Sequence, residues 1–424
     1  MIGFLLFVGL LSIELGIFLR SYKLKVINSK FIRNIRILTL TLIIMLTLFG
    51  VLTFSFRYYG LFLLLFFMIA FNDIKALKNL IKPTPYTNKA TIKKLLLNSL
   101  IITLIMIPSG IFPEYKPLAT TGGFEVTSTT FVFEDENRID AFSNDNALRQ
   151  VGVHAWYPGN TNETFPLIVY SHGGISLETS NESLFLELAS HGYVVFSIGH
   201  PYHSIVTKNI KGDNIWINGE YMRELNRESA KENPIESFGF YQKWMQVRTN
   251  DLNFIIDYAK IESQNTQSLP VFKLIDIENI GVIGHSLGGS AALCIGRNRN
   301  DVKAIIALES PYMCDILGVE NETFIFDSNA YPIPVLNVYS DSTWSQLSSL
   351  PQYKQNSIML NDSESMVVNV HIDGTGHFSL TDLSLTSPLM TRMLNGFRST
   401  RQSRDVLSII NIASLEFLDN WLKE

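Results

Sequence analysis

Residues 279–296, NIGVIGHSLGGSAALCIG, decide how this chain is read. Residues 280–283 are a short apolar run of the kind that fills a buried strand. The run breaks into Gly284-His285-Ser286-Leu287-Gly288-Gly289, and small residues then open a helix. A serine between glycines at a strand-to-helix break sits on a sharp turn, which lifts its hydroxyl above the strand end. That hydroxyl is a poor nucleophile at neutral pH. It needs a base within hydrogen-bond reach and donors where the oxyanion forms. Ser286 is therefore the candidate nucleophile. His285 is set aside as its base, because a neighbour on such a turn points elsewhere.

The same texture extends outward from this stretch. TTFVFED (129–135) and VGVHAWYP (151–158) read as early strands, and FPLIVYSHGG (165–174) as a central parallel strand ending in glycines. SLFLELASHG (183–192) is a short helix, and YVVFSIGH (193–200) the next strand. After a polar, irregular segment, apolar residues at helical spacing predict a helix over about 236–262. VKAIIALES (302–310), IPVLNVYS (333–340) and MVVNVHIDG (366–374) continue the strands, and residues 403–424 form a final helix with Ser403 as its expected N-cap. Strands alternating with helices make an α/β unit with a mostly parallel sheet, which binds ligands at the carboxyl ends of its strands.

The base belongs after a late strand. His371 lies within one and is expected to pack there, whereas His377 follows a glycine-containing loop and is the candidate base. The oxyanion donors are expected to be the backbone N–H of Leu287 and that of Gly174, with Ile175 next. His172 is expected to shape that oxyanion loop, and His200 the loop after its strand; His203 also opens a loop. The acid stays open between two residues at this point. Glu309 ends the strand after the nucleophile unit and Asp341 ends the following one, although the usual place in the later loop is nearer Thr343.

The first 112 residues are a different material. Four apolar runs occupy residues 2–19, 37–56, 58–71 and 95–112. A helix needs about 20 apolar residues to cross the hydrocarbon core. The third run is short, but about four transmembrane helices are expected, the first retained as an anchor because it lacks a charged leader region. Arg20, Lys23, Lys25, Lys30, Arg33 and Arg36 precede the second run, and Lys75, Lys78, Lys82, Lys89, Lys93 and Lys94 precede the fourth. Positive charge places both segments in the cytoplasm. The domain boundaries follow: a transmembrane helical region over 1–115 and a catalytic domain over 116–424, on the extracytoplasmic side, with 201–240 as a candidate lid. Glu14 is the one charge in the first run, with no partner visible in the sequence.

Bulk numbers narrow the class. The net charge of −5 without a basic stripe argues against nucleic acid. Cys294 and Cys314 match no metal spacing and no disulfide framework, so Cys294 reads as a small buried apolar residue. No metal or organic cofactor is required by this chemistry.

YSHGG, LASHGYVV, VIGHSLGG, ALES, DGTGH and the terminal ASLEFLDNWL occur in an order and spacing that resemble the plasma-type platelet-activating factor acetylhydrolases, of the α/β-hydrolase superfamily. The resemblance runs from about Phe124 to the end. It implies a nucleophile at Ser286, a base at His377 and oxyanion amides at Leu287 and Gly174. It also implies that Glu309 is the acid and Asp341 the alternative, with glutamate departing from the family's aspartate. The N-terminal helices depart too, since the plasma enzymes are secreted. The expected function is a membrane-anchored serine esterase acting on a phospholipid with a short or oxidised acyl group. A general carboxylesterase or lipase, an acyltransferase, and an inert hydrolase domain on a membrane module are the rivals.

Overall fold

The structure, a computed structural model, describes residues 2–79, 86–143, 146–360, 366–396 and 399–423, with the backbone alone at 72, 73 and 75–79. The chain divides into two compact units, Met1–Lys116 with Thr386–Met390, and Pro117–Leu385 with Thr391–Glu424.

The first unit holds helices α1 (Ile2–Leu24), α2 (Ser29–Leu48), α3 (Phe56–Asn79) and α4 (Asn88–Ile111). By length and composition α1, α2 and α4 can cross a membrane, whereas the apolar part of α3 is only Phe56–Phe71. Among the described residues the expected four spanning helices thus become three that are long and apolar enough, because polar and charged residues fill the last turns of α3. Lys82 lies outside the described residues. Arg36 is not a loop residue: it sits on α2, buried, and its Nη2 donates to Glu14 Oε1 at 2.6 Å. Asn98 of α4 donates to Glu14 Oε2, also at 2.6 Å. Glu14 therefore has partners on two other helices, which suits a charge that is expensive to bury alone. Leu10, Ile43, Leu61 and Ile102 pack in the core of this bundle.

The second unit begins with β1 (Val126–Ile139), β2 (Leu148–Pro158) and β3 (Phe165–Ser171), then α5 (Glu182–Ser190) and β4 (Val194–Gly199). A small hairpin, β5 (Val206–Lys208) and β6 (Asn214–Trp216), precedes α6 (Gly219–Arg227) and the long α7 (Pro234–Gln264). β7 (Ile275–His285), α8 (Leu287–Asn298) and β8 (Ala304–Leu308) follow, then a second hairpin of β9 (Ile316–Glu320) and β10 (Thr323–Phe326). β11 (Val335–Ser340), α9 (Lys354–Met359), β12 (Val367–Ile372), α10 (Leu383–Thr386), α11 (Pro388–Leu394) and α12 (Ser403–Leu422) complete the chain. Asn233 caps α7 by accepting from the Glu236 N–H, with Pro234 in the first turn where its missing donor is harmless. Ser403 is not the N-cap of α12. Gln402 takes that place, and the Ser403 hydroxyl donates to the Ser384 carbonyl instead.

The main sheet runs β1-β2-β4-β3-β7-β8-β11-β12. β2 pairs antiparallel with β1 and β4, and all later neighbours are parallel. Side chains alternate across it. Val169, Val282 and Ile305 face α7 and α8, where Leu252, Ile256, Ala291 and Cys294 pack. Ile168, Ile283 and Ile306 face α5 and α12, against Phe185, Leu188, Ile410 and Leu418. The five parallel pairings bring the ends of β4, β3, β7, β8, β11 and β12 to one edge, where strand ends and loops can assemble a site.

The cysteines correct the sequence reading. Cys294 of α8 and Cys314, after β8, form a disulfide with a Cα separation of 5.4 Å. Cys294 is buried as expected, but paired. Spacing rules miss the pair because the β7–α8–β8 crossover, not local sequence, returns the chain to the helix. Closing a loop with a sequence separation of 20 is worth about 3 kcal/mol by loop entropy. Replacing both cysteines with serine is expected to lower the unfolding free energy of the second unit by about that amount. Chemical denaturation with and without reductant checks it, since reductant should move the wild type and not the variant.

Candidate active site

Ser286 stands between β7 and α8 with φ 53° and ψ −124°, on the left-handed side that a residue with a Cβ rarely occupies. Its N–H donates to the Leu308 carbonyl at 2.8 Å, so the adjacent strand β8 holds the turn. The glycines make the turn possible. A methyl group on Gly288 would lie 2.0 Å from the Ser171 carbonyl oxygen and 2.4 Å from that of His172. Helix α8 can therefore approach the end of β3 only with glycine there. Gly288→Ala is expected to push the two segments apart, lowering stability by about 2 kcal/mol or more and lowering kcat by a larger factor than KM changes. Thermal melting and steady-state kinetics on one preparation check both effects.

Glu309, directly after β8, is a second non-glycine residue on the left-handed side, at φ 51°. Such strain persists only where the surroundings enforce it. Here the Glu309 N–H donates to Val338 at 2.7 Å and the Tyr353 hydroxyl donates to the Glu309 carbonyl at 3.0 Å. The carboxylate is fully buried. Its Oε1 lies 3.7 Å from His377 Nδ1 and accepts from the Thr343 hydroxyl at 2.9 Å. Its Oε2 accepts from the Ser340 N–H at 3.1 Å. Burial alone would raise its pKa, but His377 and the bonds from Ser340 and Thr343 outweigh that and hold it below the ordinary range.

His377 follows β12 and keeps a quarter of its side chain exposed. Its N–H donates to Ser342 Oγ at 3.1 Å, and its carbonyl lies 3.2 Å from His285 Nε2. His285 thus braces the other histidine, and burial holds it well below its usual pKa. Asp341 is turned elsewhere. It is half exposed, 2.7 Å from His371 Nε2, and accepts from the Gly374 N–H at 2.8 Å. His371 is stacked on Trp344. Of the two acids, the structure brings Glu309 to His377 and sends Asp341 to His371.

The loop after β3 approaches the serine: a methyl group on Gly173 would lie 3.7 Å from Ser286 Cβ. Leu287 begins α8 immediately beyond the turn. His172 is buried, its Nδ1 donating to the Gly173 carbonyl at 2.7 Å and its Nε2 accepting from Ser204 Oγ at 2.7 Å. Burial and nearby Arg248 hold its pKa well below the usual value. The Tyr221 hydroxyl donates to the Gly174 carbonyl at 2.9 Å, and His203 stacks flat on that tyrosine. Ile175, the second-choice donor, is about half exposed. Segment 201–240 folds as the β5–β6 hairpin, α6 and the start of α7, tied to the loop by the Ser176–Ser204 bridge. Trp216 on the hairpin is 62% exposed, whereas Tyr241 and Trp244 are core residues.

Sequence reasoning missed the support behind this loop. Arg248 is fully buried; its Nη1 donates to the His172 carbonyl at 2.5 Å and its Nη2 to that of Gly173 at 3.0 Å. Beside it, Ser171 Oγ is 2.8 Å from His200 Nε2, and His200 Nδ1 is 2.9 Å from Asp251 Oδ2. Arg149 and Arg138 also grip Asp251; against the opposing effect of burial, Arg149 and His200 hold its carboxyl far below the usual range. Burial pushes His200 down to about 4. One signal was available. Trp244, Met245, Arg248, Asp251, Leu252 and Ile255 share one helical face, and two charges on an apolar face must have buried partners.

The fold agrees with what the chain is similar to. A ferulic acid esterase from Streptomyces cinnamoneus superposes with a TM-score of 0.55 at 18% identity, over 72% of this chain and 92% of that one, which establishes the α/β-hydrolase fold alone. The platelet-activating factor acetylhydrolase of Bos taurus is 24% identical over 62% of this chain and 58% of its own length; that of Canis lupus familiaris is 26% identical over 62% and 59%. A probable 1-alkyl-2-acetylglycerophosphocholine esterase of Arthroderma benhamiae is 26% identical over 31% of this chain and 28% of its own. The chain spans just under three fifths of the length of the two mammalian relatives. The model of the family described as platelet-activating factor acetylhydrolase, isoform II, matches residues 150–424, and the chain belongs to that family.

Proposed function

We propose that this chain is a serine esterase that cleaves a short or oxidised acyl ester from a phospholipid through an acyl-enzyme on Ser286. The observation that carries the reading is a serine held on a strained turn one strand away from a buried Glu309 that faces the partly exposed His377. His377 takes the hydroxyl proton as Ser286 Oγ bonds to the ester carbon. The N–H groups of Leu287 and Gly174 receive the oxyanion. The tetrahedral adduct collapses, the bond to the leaving alcohol breaks, and His377 returns the proton to that alcohol. Water then attacks the acyl-enzyme, again giving its proton to His377, and the acid leaves as Ser286 regains a proton. Glu309 fixes the histidine tautomer and stabilises the imidazolium.

The substrate class rests on family membership and on the names of the relatives, platelet-activating factor acetylhydrolase and probable 1-alkyl-2-acetylglycerophosphocholine esterase. The three apolar helices support anchorage in a membrane, and the disulfide supports an oxidising, extracytoplasmic site for the second unit. The exposed Trp216 hairpin supports a flap at the lipid surface. Full-length protein in liposomes, offered 1-alkyl-2-acetyl and 1-alkyl-2-palmitoyl glycerophosphocholine and p-nitrophenyl butyrate, tests this. Preferential release of acetate supports the proposal. Faster cleavage of the simple ester with no discrimination between phospholipids makes it a general carboxylesterase, and product that depends on an added alcohol makes it an acyltransferase.

A further inference from the structure

We propose that Arg248 is a positioning residue that sets the oxyanion hole by holding the His172 and Gly173 carbonyls, so that the Gly174 N–H faces the ester oxygen that becomes the oxyanion when Ser286 attacks. The inference deepens the esterase reading and rests on it. In a trans peptide the C=O and the following N–H point in opposite directions. The Gly173 carbonyl accepts from both Arg248 Nη2, at 3.0 Å, and His172 Nδ1, at 2.7 Å, on the buried side. Its peptide partner, the Gly174 N–H, is therefore turned the other way. The neighbouring peptide is anchored likewise, by Arg248 Nη1 on the His172 carbonyl at 2.5 Å. Glycines in this loop are otherwise free to flip, because neither has a Cβ to restrict its torsions.

Arg248 suits this role for two reasons. Its planar fork spans two successive carbonyls, which a lysine ammonium does not match in geometry. It is also fixed in place: α7 is packed on the sheet through Met245, Leu252 and Ile255, and the guanidinium reaches Ser171 Oγ at 3.4 Å, the same hydroxyl that faces His200. A donor held before the reaction costs no reorganisation when the charge develops.

The test compares Arg248→Lys and Arg248→Met with wild type in the full-length protein. It measures kcat, KM, melting temperature and the affinity for a trifluoromethyl ketone, which forms a tetrahedral adduct that uses the hole. Loss of one oxyanion donor lowers kcat by about 10²- to 10³-fold. Arg248→Met is expected to fall in that range with KM little changed, and inhibitor affinity is expected to drop in step with kcat. Arg248→Lys is expected to recover part of both. A folded variant that keeps full inhibitor affinity overturns the proposal. So does failure of Arg248→Lys to fold, which assigns the residue a purely structural role. Failure of the underlying esterase reading is distinguishable, because wild type would then bind no trifluoromethyl ketone.

Discussion

Ser286→Ala is expected to abolish turnover, with a loss of about 10⁶-fold in kcat, the scale seen when a nucleophile that acts with its base as a unit is removed. The same substitution should eliminate labelling by a fluorophosphonate probe. The fold should tolerate it, because the backbone rather than the hydroxyl holds the turn: the Ser286 N–H is bonded to Leu308 and its carbonyl accepts from Ser290. Alanine accepts a positive φ as poorly as serine does, so the strain of the turn is unchanged. Labelling of the variant equal to wild type would remove Ser286 from the mechanism. His377→Ala is expected to approach the same loss, since without its base the hydroxyl stays protonated.

Glu309→Gln is expected to lower kcat by about 10⁴-fold, the effect of replacing a triad acid by its amide. The amide is nearly isosteric but can present an N–H toward His377, which favours the wrong tautomer. Asp341→Asn should leave turnover close to wild type, because Asp341 serves His371 and Gly374. The reverse ranking would move the acid to β11. Acid stability provides a second readout. A carboxyl whose folded pKa is depressed stabilises the fold above the ordinary carboxylate range, and that contribution fades as pH falls through the depressed value. Wild type should lose stability in that acidic window, and Glu309→Gln should lack this part of the loss.

Much of the fold was legible because it depends on local pattern. Residues 165–171 and 280–285 are strands because both faces of the sheet are covered, and the long helix over 234–264 was visible in its apolar spacing. Ser286 announced itself through the turn chemistry of its glycines. His377 followed from its place after the last strand. What local pattern could not decide was which side chains meet across strand ends. Glu309 and Asp341 both end strands, and what separates them is that the buried Glu309 carboxylate faces His377, with the Thr343 hydroxyl aimed at it, while Asp341 faces His371. The position near Thr343, usual for an acid in this layout, supplies a donor to the acid instead. Arg36 with Glu14, Cys294 with Cys314 and Arg248 with the oxyanion loop are likewise long-range meetings, invisible until helices are packed.

The array Ser171–His200–Asp251 bears on how such sites are recognised. It has the chemical order of a hydrolase triad, with separations of 2.8 and 2.9 Å that are tighter than the 3.7 Å between His377 and Glu309. Each of its three residues has zero exposed surface, so no ester can arrive and no water can follow. In this protein the entrance, more than the spacing, distinguishes an engine from its bracket.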